Sequence, residues 1–207
     1  MRIHIIIGMI ALAAAAAGLL AGCGGNTTTS PATTTAPPAA SNAPATGAQQ
    51  HNQADVTFLQ GMIPHHAQAI SMAQLASRRA ASPQVKALAS RIEAAQNPEI
   101  QQMSALLNSW GAPVPATTEN MPGMHHQPGQ MPGMMNNAQM QQLSSASGPA
   151  FDRMFLQMMI AHHQGAVSMA QTELAPGTNP ATRQLAQQII TSQQAEIGEM
   201  QQLLQQS

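Results

Sequence analysis

A duplicated segment constrains the fold of this chain more than any other feature of its sequence. At an offset of 97 residues, FLQGMIPHHAQAISMAQ (58–74) aligns with FLQMMIAHHQGAVSMAQ (155–171), with 12 of 17 positions identical. The same offset places Glu99 on Glu196 without a gap. A unit of about fifty residues has therefore been duplicated, and the fold should contain two similar halves.

Each unit has the pattern of a helical hairpin, because apolar residues recur at three- and four-residue spacing through both of its parts. Ser82-Pro83 and Asn179-Pro180 are typical helix starts, whereas Gly111 and Pro176-Gly177 are typical helix ends. The sequence predicts helices at about 53–80, 83–109, 149–174 and 180–205. Two such hairpins predict an all-α protein with a four-helix bundle.

The segment 111–148 between the hairpins is too long for an ordinary bundle loop. It contains MPGMHHQPGQMPGMM, in which Met-Pro-Gly-Met occurs twice. This density of Pro and Gly predicts an irregular linker whose methionines do not belong to the core.

The N-terminal region is predicted to direct export and anchoring. Residues 1–22 have a basic residue, an apolar run and then small residues, the pattern of a signal peptide. The run ends in Leu-Ala-Gly-Cys and resembles a bacterial lipobox, so Cys23 is the expected lipidation site. Residues 23–52 are rich in Thr, Pro and Ala and are predicted to be a disordered tether, which leaves 53–207 for the bundle. We therefore expect an extracytoplasmic lipoprotein attached to the cell membrane.

Composition excludes several classes of function. The chain has a formal net charge of −1, seven Lys and Arg, three Phe, one Trp and no Tyr, so it lacks the basic and aromatic surface that binds nucleic acid. The single cysteine excludes an intrachain disulfide, a thiolate zinc site, a blue-copper centre and an iron–sulfur cluster. The chain is instead rich in methionine, with 16, and contains eight histidines.

Two histidine pairs occupy the same place in the two units. His65 and His66 flank the apolar stripe of the first helix, and His162 and His163 do so in the second copy. A lone histidine in such a place usually belongs to a hydrogen-bonded core, but a duplicated pair favours a site. Pro64, which removes a helical hydrogen bond directly before the first pair, indicates either a helix shaped for that site or a kink that serves packing.

A carboxylate lies in the apolar stripe of the second helix of each hairpin, at Glu99 and Glu196. A buried carboxylate must be protonated, paired with a cation or bound to metal. Closing each hairpin at its turn sets Glu99 level with position 64 and Glu196 level with position 161. The sequence thus predicts that both glutamates and the four histidines meet near mid-bundle.

Imidazole and thioether groups without a thiolate are a ligand set suited to copper(I) or silver(I) rather than to zinc or magnesium. The candidate metal ligands are His65, His66, His162, His163, Met62, Met159, Met72, Met169, Glu99, Glu196, Met103, Met200, Met121, Met124, His125, His126, Met131 and Met134. The helical methionines could equally serve only as core residues, and the linker could be a low-complexity segment without a ligand.

The sequence resembles the bacterial domain-of-unknown-function family 305. MIPHHAQAISMA (62–73) and MMIAHHQGAVSMA (158–170) match the signature of that family, as do Glu-Ile-x-x-Met at 99–103 and at 196–200. The resemblance covers residues 54–207 and implies a ferritin-like helical bundle. It also implies the role that has been assigned to some family members, which look like exported copper-binding proteins acting in metal tolerance. The first copy departs by having Ala67-Gln68 where the second has Gln164-Gly165.

These observations favour a non-enzymatic lipoprotein that binds copper(I), or silver, for sequestration, tolerance or transfer. A copper exporter or acceptor protein is a further candidate partner. The alternatives are a ferritin-like di-metal oxidase, a structural envelope module and a protein that binds haem between Met and His. The sequence lacks the Glu-x-x-His motifs expected of the oxidase and the Cys-x-x-Cys-His motif that attaches haem. If neutral histidines bind the metal, affinity should fall as the pH drops from roughly 7 to 5.

Overall fold

The structure, a computed structural model, describes residues 50–117 and 131–206. The regular elements of these residues are helices: α1 Gln53–Arg79, α2 Pro83–Ser109, α3 Asn137–Ser145, α4 Gly148–Leu174 and α5 Pro180–Gln205. The four long helices confirm the predicted ones to within one residue at each end, and the fold is an all-α four-helix bundle. None of the helices in the described residues is long and apolar enough to span a membrane.

The prediction of an irregular linker is wrong for its second part. Residues 137–145 form α3, which begins with a capping box in which Asn136 and Gln139 bond each other's backbone N–H groups. Met135 and Leu143 are buried in the core, and Met140 packs against it. The apolar spacing of Met140 and Leu143 supports one short helix beyond the Pro- and Gly-rich repeat, so the linker does contribute methionine to the core.

The hairpins pack through their first helices, and a polar layer divides the core in two. The second half of α1 and the first half of α4 form cluster A, which includes Met72, Leu88 and Phe155. The first half of α1 and the second half of α4 form cluster B, which includes Phe58 and Leu185. The two central helices are therefore antiparallel, and the middle of each lies between the clusters.

A crossed pair of helix caps joins the repeats. Asp55 of α1 accepts hydrogen bonds from the backbone N–H groups of Thr178 and Asn179, at 3.1–3.2 Å, just before α5. Asp152 of α4 accepts bonds of 3.0 and 2.8 Å from Ala81 and Ser82, just before α2. Each duplicated aspartate thus accepts hydrogen bonds from backbone N–H groups just before the second helix of the other hairpin, which fixes how the two halves dock.

Candidate metal centre

The four repeat histidines form the polar layer between clusters A and B. His65, His66 and His163 have no exposed surface, and His162 is 1% exposed. They are buried because α1 and α4 cross at the level of both His-His pairs. The prediction that duplication brings the pairs to one level is confirmed by the contact between His65 and His162, whose ring centroids are 3.9 Å apart.

Each hairpin holds its outer histidine with its own glutamate. His66 Nε2 lies 2.7 Å from Glu99 Oε2, and His163 Nε2 lies 2.7 Å from Glu196 Oε2. The hairpin register predicted from the sequence therefore holds to within two residues. The glutamate side chains are about one-fifth exposed, at 20% and 19%, so they line the edge of the layer rather than its buried centre.

The hydrogen bonds determine which ring nitrogens remain available. His65 Nε2 lies 3.0 Å from the carbonyl oxygen of Pro132, which can only accept, so this nitrogen carries the proton. In His66 and His163, Nε2 donates to carboxylate. Nδ1 of these three rings is buried without a hydrogen-bond partner, and neither ring nitrogen of His162 makes a bond of normal geometry. In the neutral rings, Nδ1 of His65, His66 and His163 and one of the two ring nitrogens of His162 carry a lone pair that a metal ion can accept.

Burial keeps the two inner histidines neutral. Burial lowers the pKa of His65 to about 3, against the hydrogen bond to Pro132, which raises it. Burial also holds the pKa of His162 well below its usual value, and a positive charge on His65 or His163 would lower it further. The expectation of proton competition between pH 7 and 5 is thus wrong for these two residues, because burial disfavours the charged ring more than the sequence alone indicates.

The end of the linker lies across the histidine layer. Gln68 of α1 donates to the Met135 carbonyl at 2.8 Å and accepts from the Met135 N–H at 2.7 Å. At Gly165 of α4, which corresponds to Gln68 in the repeat, a Cβ atom would lie 1.9 Å from the Pro132 carbonyl oxygen. Gly133 has φ +77°, and a Cβ atom on it would lie 2.4 Å from the Ala161 carbonyl oxygen of α4. The difference between the repeats at Gln68 and Gly165 therefore allows the linker to pack against both α1 and α4.

The candidate methionines fall into three groups. The fully buried ones pack in the apolar clusters, namely Met72, Met159 and Met200 in cluster A and Met62 and Met103 in cluster B. Met131, Met134 and Met169 are partly exposed. Met121, Met124, His125 and His126 lie outside the described residues, as do Cys23, the predicted signal peptide and most of the predicted tether.

The layer does not form a ready-made site of high coordination number. In residues 50–117 and 131–206, no group of three or more His, Cys, Asp or Glu side chains is placed to hold one metal ion. The four histidines come together as one His-His contact flanked by two His-Glu pairs, rather than as a single four-nitrogen ligand set. Sequence reasoning missed Gln68, Pro132 and Gly165, although the difference between the repeats was the signal that could have identified two of them.

A family profile matches most of this bundle. The profile described as "Domain of unknown function (DUF305)" matches residues 55–204. The chain belongs to the DUF305 family. It is also 41% identical over 54 residues to an uncharacterized mimivirus protein, L153 of Acanthamoeba polyphaga mimivirus, where the match spans 26% of this chain and 36% of that protein.

Solved structures share the DUF305 fold. A DUF305 protein of Streptomyces coelicolor, inferred to be secreted, is 31% identical, with a TM-score of 0.65 over 74% of this chain and 93% of that one. A DUF305 fragment from Deinococcus radiodurans is 35% identical, with a TM-score of 0.65 over 75% and 98%. CopM in its Cu(II)-bound form is 36% identical, with a TM-score of 0.61 over 73% and 96%, and CopM also has Cu(I)-bound and Ag-bound forms.

Proposed function

We propose that this DUF305 protein binds copper(I) in the histidine layer, outside the cytoplasm, and sequesters or transfers it without catalytic turnover. The observation that carries the proposal is the set of buried, unpartnered imidazole nitrogens at the contact between α1 and α4. Support comes from CopM, a structural relative with copper-bound and silver-bound forms, and from the Streptomyces relative inferred to be secreted.

The geometry favours copper(I) over ions that need more ligands. His65 and His162 face each other, and Nε2 of each outer histidine is held by a carboxylate, which orients the ring and strengthens its basicity. Copper(I) binds to as few as two nitrogen or sulfur ligands, whereas zinc prefers four and magnesium six. The lack of a three-residue His, Cys, Asp or Glu group in the described part of the chain fits that preference.

A structural envelope module remains the second candidate, because His66–Glu99 and His163–Glu196 are also what buried salt bridges would look like. A ferritin-like di-metal oxidase has less support, since both glutamates at this level already bond histidines. The membrane anchor at Cys23 and the transfer partners belong to the proposal, which rests there on the sequence alone.

The test is a competition titration with a copper(I) chelator. The protein carries Cys23→Ser so that the thiol does not compete. We expect tight binding that is lost when His65 and His162 are both changed to Ala. The matched control is His51→Ala, because His51 stacks on Trp110, away from the layer. Equal copper(I) affinity in the double variant and the control would reject the histidine layer as the site and support the structural envelope module instead.

A further inference from the structure

Two methionine side chains converge over a glycine at the edge of the histidine layer. If Gly61 had a Cβ atom, it would lie 3.0 Å from the Met169 Cε atom and 3.7 Å from the Met131 Sδ atom. Met169 comes from α4 and Met131 from the returning linker, so three separate segments meet there. Both methionines are partly exposed, in contrast to the fully buried methionines of the apolar clusters.

Each of the two methionines lines a cavity at this edge of the layer. One, of about 340 Å³, is lined by Met131 together with Gly61 and Pro64. The other, of about 250 Å³, is lined by Met169 together with Phe58 and Pro132. Thr57 lines both cavities. The two thioethers are therefore reachable from solvent without unfolding the bundle.

The duplication provides an internal comparison. The residue that corresponds to Gly61 is Met158, and the residue that corresponds to Met169 is Met72. Met72 is fully buried and Met158 packs against the same apolar cluster. The second copy thus fills with an apolar side chain the place that the first copy leaves open.

The opening is connected to the buried imidazoles. Gly61 precedes His65 by one helical turn, so both lie on the same face of α1. Met131 is followed by Pro132, whose carbonyl accepts the His65 hydrogen bond. An ion held by the thioethers would therefore lie next to Pro132 and His65, which it must pass to reach the lone pairs of the buried imidazole nitrogens.

We propose that Met131 and Met169 form a separate thioether site for a soft monovalent cation, copper(I) or silver(I), through which the ion reaches the histidine layer. Thioether sulfur prefers such ions, and because it does not titrate, it binds them without proton competition. The existence of the thioether site stands on its own geometry, whereas its role in loading the layer rests on the proposed function.

The experiment uses silver(I) as the probe and the full chain in a Cys23→Ser background, with ¹³C-labelled methionine methyl groups. At substoichiometric silver we expect the Met131 and Met169 methyl resonances to shift together, also in the His65→Ala/His162→Ala variant. The Met131→Leu/Met169→Leu variant should load the histidine rings more slowly. The matched control, Met72→Leu/Met158→Leu, also replaces two methionines by leucine with little change in volume. Met72 lies within cluster A and Met158 packs against it, so this variant should load at the wild-type rate.

The possible outcomes separate the two proposals. Histidine signals that respond to silver while the Met131 and Met169 methyl groups do not would overturn the thioether site and leave the proposed function standing. Methionine shifts without a histidine response would support the site and overturn the histidine layer as the destination. As a second variant, Gly61→Leu improves helix propensity and fills the space without adding sulfur, so it should abolish the paired methionine shift in a folded protein. An unchanged paired shift in that variant would overturn the geometry.

Discussion

A buried carboxyl pair, Asp55 near the start of α1 and Glu173 near the end of α4, should make the folded protein less stable as the pH rises through neutrality. Glu173 is only 3% exposed and hydrogen-bonds the fully buried Asp55. Burial and the neighbouring Asp55 raise the pKa of Glu173 to about 8. Burial alone would raise the pKa of Asp55 too, but the hydrogen bonds from Asn52, Glu173, Asn179 and Thr178 outweigh it and lower that pKa. Glu173 is thus the protonated partner at pH 7.

The direction of this pH dependence follows from the difference in bound protons between the folded and the unfolded states. Between the unfolded pKa of 4.5 and the folded pKa of about 8, folded Glu173 holds more protons than the unfolded chain, so rising pH favours unfolding. Each pH unit in that interval removes up to about 1.4 kcal/mol from the free energy of unfolding, and the whole interval at most about 5 kcal/mol. Glu173→Gln keeps a hydrogen-bond donor beside Asp55 and removes the titration.

The assay is urea unfolding at several pH values from about 7 to 9, because only below that range does proton uptake by unfolded His65 and His162, at their usual pKa of 6.5, lower the stability appreciably. Wild type should lose stability up to about pH 8 and then level off, whereas Glu173→Gln should stay nearly flat. Glu93→Gln, on a partly exposed face of α2, is the matched loss of one carboxyl group and should follow wild type. Parallel profiles for wild type and Glu173→Gln would refute the assignment of the shared proton to this pair.

Three further predictions concern the linker and the anchor. Gly165→Ala should lower the free energy of unfolding by about 1–3 kcal/mol, because its Cβ would overlap the Pro132 carbonyl, whereas Gly198→Ala, with open space around it, should be neutral or stabilising in the same thermal unfolding assay. Cys23→Ser should release the protein from the membrane fraction, and retention there would contradict the anchor. Deleting residues 118–130, which include Met121, Met124, His125 and His126, should lower the number of copper ions bound and leave the tightest site, in the histidine layer, intact. Loss of the tightest site would show that this segment supplies it.

The sequence carried enough information for the long helices because their start and end signals are local. Ser82 and Asn179 cap α2 and α5 through their side-chain oxygens, as their position before proline indicates. Gly111, at φ +66°, follows the end of α2 as a left-handed residue should. Helix α3 was missed because Met140 and Leu143 provide only one turn of apolar spacing, too little to stand out beside the Pro- and Gly-rich repeat.

The site was predicted less completely than the fold. Hairpin register follows from counting residues, so the level of Glu99 and Glu196 could be estimated. The linker contacts could not, because they depend on where a non-repeated segment packs. The protonation state of His65 depends on its burial between two docked hairpins. Sequence periodicity gives the face of the helix on which a residue lies, but not the extent to which water is excluded from that face.

The differences between the two repeats explain more of this molecule than their similarity does. Symmetric duplication provides the shared level of the histidines and the crossed Asp55 and Asp152 caps. A symmetric bundle would bury its histidine layer equally from both ends and offer an ion no preferred approach. Gly165 in place of Gln68 admits the linker backbone, and Gly61 in place of Met158 leaves room for thioethers from two segments. Both replacements remove a side chain on the linker side of the layer. The first lets the linker pack over the imidazoles, and the second leaves the space beside Met131 and Met169 that our proposal makes the approach for an ion.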